Sequence, residues 1–312
     1  MSTKPMPRTP EAAPRPLWKT WLWASRPFSL TASVVPVLVG SAYAAWDAAR
    51  FRWWLFALAL IGSVAIQAAT NLTDEYADFR KHGAAKFAAP HKVIQQGLLS
   101  PRAVLLGMGA TFGVGIACGL AIVAAVGWPI LAVGIASVAI AYLYSAGPLP
   151  IGNLGLGELT VFVFMGVLMV GASYFVQAQA LAAGALLAAL PVAFLVTSIM
   201  HCNNLRDIDE DRAQGKRSIA TWVGLPVGRR VYAALLAAAH LSIVALAVAG
   251  LLPAWALLAL LTLPLAVDTV RGLWRAGDRM AMNRMMVRTA RLHFLTGVLL
   301  AVGLAVAAFV ER

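Results

Sequence analysis

The stretch GWPILAVGIASVAIAYLYS, residues 127–145, runs nineteen residues without a charge, and ELTVFVFMGVLMVGASYFVQ, residues 158–177, carries a single acid at its first position. A helix of about 20 predominantly apolar residues crosses about 30 Å of hydrocarbon, so both read as membrane spans. Working outward with a window of about 19 residues, further apolar stretches fall at 28–46, 53–71, 103–123, 181–200, 231–250, 252–270 and 292–310. The boundary between the seventh and eighth spans rests on Gly250 and Pro253. The expected fold is all-α: a polytopic membrane protein of about nine transmembrane helices.

Composition agrees. Of 312 residues, 61% are hydrophobic and 12% charged, with a mean hydropathy of +0.78. Soluble domains are about a quarter charged, so these figures exclude a disordered chain and argue against a water-soluble enzyme. The 25 Lys and Arg against 13 Asp and Glu give a formal charge of +12. Alone, that excess would suit nucleic acid, but its placement gives another cause. Five basic residues lie before the first span, five in 72–102, six in 201–230 and six in 271–291, and only Arg50, Arg52 and Arg312 fall on the other side. This is the positive-inside pattern, with the chain starting in the cytoplasm, and no nucleic-acid partner is implied. Residues 1–17, with five prolines and no apolar core, read as a flexible cytoplasmic tail and not a cleavable signal; residues 18–312 read as a single transmembrane domain. Cys118 and Cys202 form neither a disulfide framework nor a metal-ligand spacing.

The acids carry more information than the bases. Seven of the 13 fall in two clusters, Asp74, Glu75 and Asp78, then Asp207, Asp209, Glu210 and Asp211, each just past a span on the cytoplasmic side. On helices that continue past the bilayer, Asn71, Asp74 and Asp78 share one face, while Asn203, Asp207 and Asp211 follow at four-residue steps with Asp209 on the far side. Like charges at this spacing repel, so something positive must offset them. Carboxylate and amide oxygens are hard ligands suited to Mg²⁺ completed by substrate phosphates. Solvated loop charges paired with Arg80, Lys81, Arg206, Arg212, Lys216 and Arg217 are the bland alternative. The same layout of Asn, acids, basic residues and Gly in 71–83 and 203–215 favours a site.

These segments resemble the UbiA superfamily of intramembrane prenyltransferases. The matching stretches are WASRPFSLTASVVPVLVG from Trp23, NLTDEYADFRKHG from Asn71, GLLSPRAV from Gly97, YLYSAGPLPIGNLGLGEL from Tyr142 and NNLRDIDEDRAQGKRSIA from Asn203. Within the superfamily the resemblance is strongest to the subgroup that prenylates 1,4-dihydroxy-2-naphthoate in menaquinone synthesis, in a bacterial inner membrane. It implies helices around a central chamber, Mg²⁺ as cofactor, and Asp74, Glu75, Asp78, Asp207 and Asp211 as metal ligands. The first motif departs from the family: Asp74 stands at the usual Asn, Glu75 at the first Asp and His82 at the last acid, so the metal role stays open between Asp74 and Glu75. The loop between Tyr142 and Glu158 carries no Lys or Arg.

The implied reaction transfers a prenyl group from its diphosphate to an aromatic acceptor. Lys216 and Arg217, then Arg80 and Lys81, are expected to stabilise the leaving diphosphate, with Asn71, Asn203 and Asn204 beside the substrate. Tyr76, Tyr142, Tyr144 and Tyr174 are candidate ring faces for the allylic cation, or packing and interfacial residues. Arg26 is either a site for the acceptor's carboxylate or a snorkelling anchor. Gln67 extends the polar face or bonds a neighbouring helix. Glu158, Asp268 and His293 are expected near span ends within reach of water, and His240 as a neutral histidine bonded to a neighbouring helix. Other acceptors, such as 4-hydroxybenzoate, and a transporter with internal repeats are the rival readings. Oligomeric state is not legible.

Overall fold

A computed structural model describes residues 16–82, 92–145 and 151–311; the side chains of residues 81, 82, 141, 142, 144 and 145 fall outside that description. Of the expected tail, residues 1–15 lie outside it, and helix already begins at Leu17. The elements are α1 (Leu17–Ala24), α2 (Thr31–Asp47), α3 (Trp53–His82), α4 (Pro101–Val126) and α5 (Trp128–Ser145). They continue with α6 (Gly157–Ala178), α7 (Ala183–Arg206), α8 (Ile208–Ala213), α9 (Ile219–Val248), α10 (Ala254–Arg275) and α11 (Arg279–Val310). The fold is all-helical: among the described residues the one strand-type pairing is a bridge between Leu154 and Arg217.

Among the described residues seven helices are long and apolar enough to cross a membrane, and a shorter apolar stretch, Trp128–Ile140, lies in α5. Large apolar side chains on their outer faces stay exposed, among them Leu106 at 77%, Ile135 at 62% and Leu261 at 70%, as lipid-facing surfaces do. Helices also run past their apolar windows. α3 has 30 residues and α11 32; at about 1.5 Å per residue each exceeds the hydrocarbon by several turns, whereas α9 is kinked at Gly224, where φ is +76. α3 thus carries the first acidic cluster on a helix that continues past its apolar window, as the shared face of Asn71, Asp74 and Asp78 supposed, and α9 and α11 begin before theirs.

Small residues let helices approach closely. A Cβ on Gly303 of α11 would stand 2.2 Å from the Trp255 carbonyl of α10, and one on Gly166 would stand 2.3 Å from Ala193 Cβ on α7. Gly166 lies in a π-helical stretch, Val161–Leu168, inside α6.

Contacts sort the helix ends into two groups. At one end Trp46 Nε1 donates to Glu311 (2.8 Å), Tyr174 Oη to Asp47 (2.6 Å) and the Arg52 backbone N–H to Gln177 Oε1 (2.6 Å). At the other, Arg26 meets Asp74, Arg217 N–H reaches the Asn153 carbonyl and Arg229 reaches the Ala276 carbonyl. Both acidic clusters belong to this second end.

Candidate active site

The first cluster rides on one uninterrupted helix. Asn71 is buried, and its Nδ2 donates to the Ser25 carbonyl at 2.7 Å and to Ser29 Oγ at 2.8 Å. It thus clamps the turn between α1 and α2, where Arg26 has φ +50. A left-handed residue other than glycine is unfavourable, more so before a proline such as Pro27, so tertiary contacts must hold Arg26 there. They aim its guanidinium at Asp74, 3.5 Å away. The sequence left Arg26 between a substrate contact and an anchor; here it is the counterion of the first acid.

Glu75 faces another way. It is 2% exposed, its Oε1 accepts the Ile94 N–H at 3.0 Å, and Lys92 Nζ lies 3.6 Å from Oε2. Lys92 also pairs with Asp78. The sequence reading missed Lys92, which is buried although formally cationic; its only signal was a basic residue between two apolar runs. Tyr76 packs, half-buried, against the cluster of Ala24, Leu72, Val93 and Val104. Arg80 is exposed, while the side chains of Lys81 and Tyr142 lie outside the described residues.

The second cluster sits at a break. α7 ends at Arg206, and Asp207, with φ −102 and ψ 11, separates it from α8. The ladder nevertheless crosses: Asp207 N–H reaches the Asn203 carbonyl at 3.2 Å and Asp211 N–H the Asp207 carbonyl at 2.8 Å, which keeps the four-residue register. Arg206 donates to Asp207 at 2.5 and 2.9 Å and to the side-chain oxygens of Asn203 and Asn283 at 2.8 Å each. Arg279, from the start of α11, bridges Asp207 and Glu210, both at 2.8 Å. Burial alone would raise the Asp207 carboxyl, but the hydrogen bonds and charge of Arg206 and Arg279 outweigh it and hold Asp207 below the usual carboxylate range. Lys216 donates to buried Asp211 at 2.8 Å. Arg217 is exposed and fixed through its backbone.

Several expected residues belong elsewhere. Asn204 is turned away from Asn203: its Nδ2 donates to Glu158 Oε1 at 2.8 Å. Tyr174 bonds Asp47 at the opposite end of the bundle, too far round the fold to meet the acids. Glu158 and His293, expected within reach of water, are 2% and 0% exposed, because His201 and Asn204 of α7 cover Glu158 and α11 begins at Arg279, well before its apolar window; Asp268 is exposed and paired with Arg288. Gln67 accepts a helix–helix bond from Ser33 at 3.4 Å, and His240 lies 3.2 Å from Thr262 of α10.

Among the described residues no three His, Cys, Asp or Glu side chains form a ready metal cage. Mg²⁺ does not need one, since it binds through one or two carboxylates, waters and substrate phosphates. The donors present, the carboxylates of Asp74, Asp78, Asp207 and Asp211 at one end of the bundle, are hard oxygens, and their chemistry fits such an ion.

Membrane-length helices that gather paired acids and bases at one end define a polytopic membrane enzyme acting on a charged substrate. Residues 33–296 match the UbiA prenyltransferase family, and the chain belongs to that family. It is similar to the 1,4-dihydroxy-2-naphthoate octaprenyltransferase of Bacillus subtilis (strain 168), 34% identical over 92% of this chain and 93% of that protein. Its fold is similar to the apo structure of a UbiA homolog from Aeropyrum pernix K1, with a TM-score of 0.66, 19% identity, and 92% and 98% of the two chains covered. It is also similar to a UbiA homolog from Archaeoglobus fulgidus bound to GPP and Mg²⁺, with a TM-score of 0.56, 15% identity, and coverage of 90% and 99%.

Proposed function

We propose that this prenyltransferase moves a polyprenyl group from its diphosphate to 1,4-dihydroxy-2-naphthoate, with loss of the acceptor's carboxylate, in menaquinone synthesis at the cytoplasmic face of a bacterial inner membrane. The observation that carries it is the pairing of every acid on the expected faces with its own cation at one end of the apolar bundle: Asp74 with Arg26, Asp78 with Lys92, Asp207 with Arg206 and Arg279, Asp211 with Lys216. A diphosphate with a divalent ion presents the complementary alternation of charge. The named acceptor of the Bacillus subtilis relative supports the naphthoate, and the ligands of the Archaeoglobus homolog support Mg²⁺ and a prenyl diphosphate.

Asp74, Asp78, Asp207 and Asp211 would hold the ion, which supplies Lewis acidity to the leaving diphosphate. Glu75, buried and bonded to the Ile94 N–H, secures the wall that carries Lys92. Arg26, Lys92 and Lys216 exchange their carboxylates for phosphate oxygens and stabilise the charge that grows as the allylic C–O bond breaks. Asn203, held by Arg206, borders the same face. The surrounding apolar helices keep water from the cation.

A panel of aromatic acceptors incubated with one prenyl diphosphate and Mg²⁺, followed by product mass, tests this. The prenylated, decarboxylated naphthoate is expected. A different preferred acceptor overturns the naphthoate assignment, and movement of prenyl diphosphate without product, as a transporter would give, overturns prenyl transfer.

A further inference from the structure

Glu158, His201 and Asn204 lie behind the second cluster at 2%, 0% and 1% exposure. They occupy the side of α7 about 100° or more round from Asn203, between α6 and α9. Asn204 Nδ2 donates to Glu158 Oε1 at 2.8 Å, and His201 Nδ1 lies 3.2 Å from the same oxygen. His201 Nε2 lies 2.9 Å from the Gly228 carbonyl oxygen of α9. A carbonyl can only accept, so Nε2 must carry a hydrogen. A neutral imidazole has just one, which would leave Nδ1 bare against a bare carboxylate, two lone pairs facing each other. The contact closes only with one further proton, either on Nδ1 or on the Glu158 oxygen.

Among the described residues no neighbour relieves this need. The side-chain partners of Glu158 are His201 and Asn204. Along α7 the next charged residues, Arg206 and Asp207, bind each other; on α9, Arg229 beside Gly228 bonds the Ala276 carbonyl. Arg217, adjoining the turn before α6, is exposed and tied to Asn153 by its backbone.

We infer that Glu158 and His201 share one buried proton and thereby lock the rotation of α7, making them positioning residues that hold Asn203 and Asp207 toward the reacting end. The role in turnover rests on the proposed prenyl transfer; the shared proton does not. With the proton gone, the Nδ1 contact turns repulsive, α7 is free to rotate, and the second cluster loses its register.

Spectroscopy of the whole protein in lipid at about pH 8, well above the ordinary ~6.5 of histidine, tests the proton. A doubly protonated ring that disappears in His201→Asn, or a carboxylic-acid carbonyl band that disappears in Glu158→Gln, supports it. A singly protonated ring beside an ionised Glu158 overturns it. Turnover tests the role. With its amide nitrogen in the place of Oε1, Glu158→Gln can donate one hydrogen to a bare Nδ1 and the other to Asn204 Oδ1, which has no partner, once that amide turns over, so it needs no shared proton; near wild-type turnover is expected, with the decline toward high pH displaced or absent. Glu158→Ala is expected to lose about 10–100-fold in kcat at little-changed KM, the range for removing groups that orient others. Wild-type turnover in Glu158→Ala, or an unaltered alkaline limb in Glu158→Gln, overturns positioning, and the Gln variant alone decides if the Ala variant fails to fold. Absence of prenyl transfer in the wild type counts against the proposed function and leaves the spectroscopic result standing.

Discussion

The two acidic clusters use opposite construction. The second takes its cations mainly from its own segment: Arg206 adjoins Asp207, and Lys216 stands five residues after Asp211. The first imports them, Arg26 from 48 residues before Asp74 and Lys92 from 14 residues after Asp78. One cluster is thus assembled as soon as its helix and turn form, whereas the other exists only after the α1–α2 turn and the segment at 92–94 have closed on α3. Substitutions in the second should therefore read mainly as lost chemistry, and in the first as lost chemistry together with lost packing.

The largest effect tests the half of that comparison where chemistry dominates. Asp207→Asn or Asp211→Asn is expected to cut kcat by about 10²–10³-fold, as removal of one group that stabilises developing charge does, with the helical signal intact. Turnover and Mg²⁺ titration check it; retained activity in both single variants excludes the metal assignment. The next tests the imported cations. Lys92→Met leaves Glu75, whose side chain is 1% exposed, without its cation, and breaking a buried pair from one side costs about 3 kcal/mol or more. Lys216→Met leaves Asp211 without its lysine, but the Asp211 side chain is 9% exposed against 1% for Glu75, so water compensates more of the loss. Thermal unfolding should fall further for Lys92→Met, and the reverse order would invert the comparison.

Legibility follows the same division. The apolar windows, the alternating directions of the helices and the four-residue step through Asn203, Asp207 and Asp211 are local patterns, and the structure keeps them even across the break at Asp207. Lys92 and the counterion role of Arg26 were not legible, since no local pattern tells a buried lysine from a solvated one. Glu75 is a metal candidate from its place beside Asp74, and the contacts that one further step of about 100° gives it, the Ile94 N–H and Lys92, were not legible. Of the two readings open for Tyr174, the bond to Asp47 fits the packing and interfacial one, and the direction of its span already set it at the far end. The part played by α11 was hidden because Arg279 and Asn283 lie 72 and 77 residues from their partners.

A smaller effect probes whether Glu75 is wall or ligand. Glu75→Gln keeps an acceptor for the Ile94 N–H and removes the charge facing Lys92. If Glu75 is wall, turnover changes by less than about tenfold while stability drops by about 1 kcal/mol, the scale of a charge-assisted bond reduced to a neutral one. A loss as large as that of Asp207→Asn would make Glu75 a ligand and bring the first cluster closer to the second in construction.

Arg279 is where the locally built cluster borrows from afar, and there the smallest effect is expected. Its side chain is 51% exposed, and exposed ion pairs contribute about 0–1 kcal/mol. Arg206 still grips Asp207 through two bonds when Arg279 is removed. Arg279→Gln should therefore cost less than about fivefold in turnover near neutral pH. The sign of its pH effect is determined, however. Arg206 and Arg279 together hold the Asp207 carboxyl below its ordinary range, so Asp207 stays ionised until the medium is more acid than a free carboxyl requires. Losing one of the two cations lets that carboxyl rise, Asp207 takes up its proton at higher pH, and the acid limb of activity moves upward while the neutral plateau stays in place. A collapse of the plateau in Arg279→Gln would mean that the distant cation, and not the neighbouring one, organises the second cluster, and the two clusters would then be built alike.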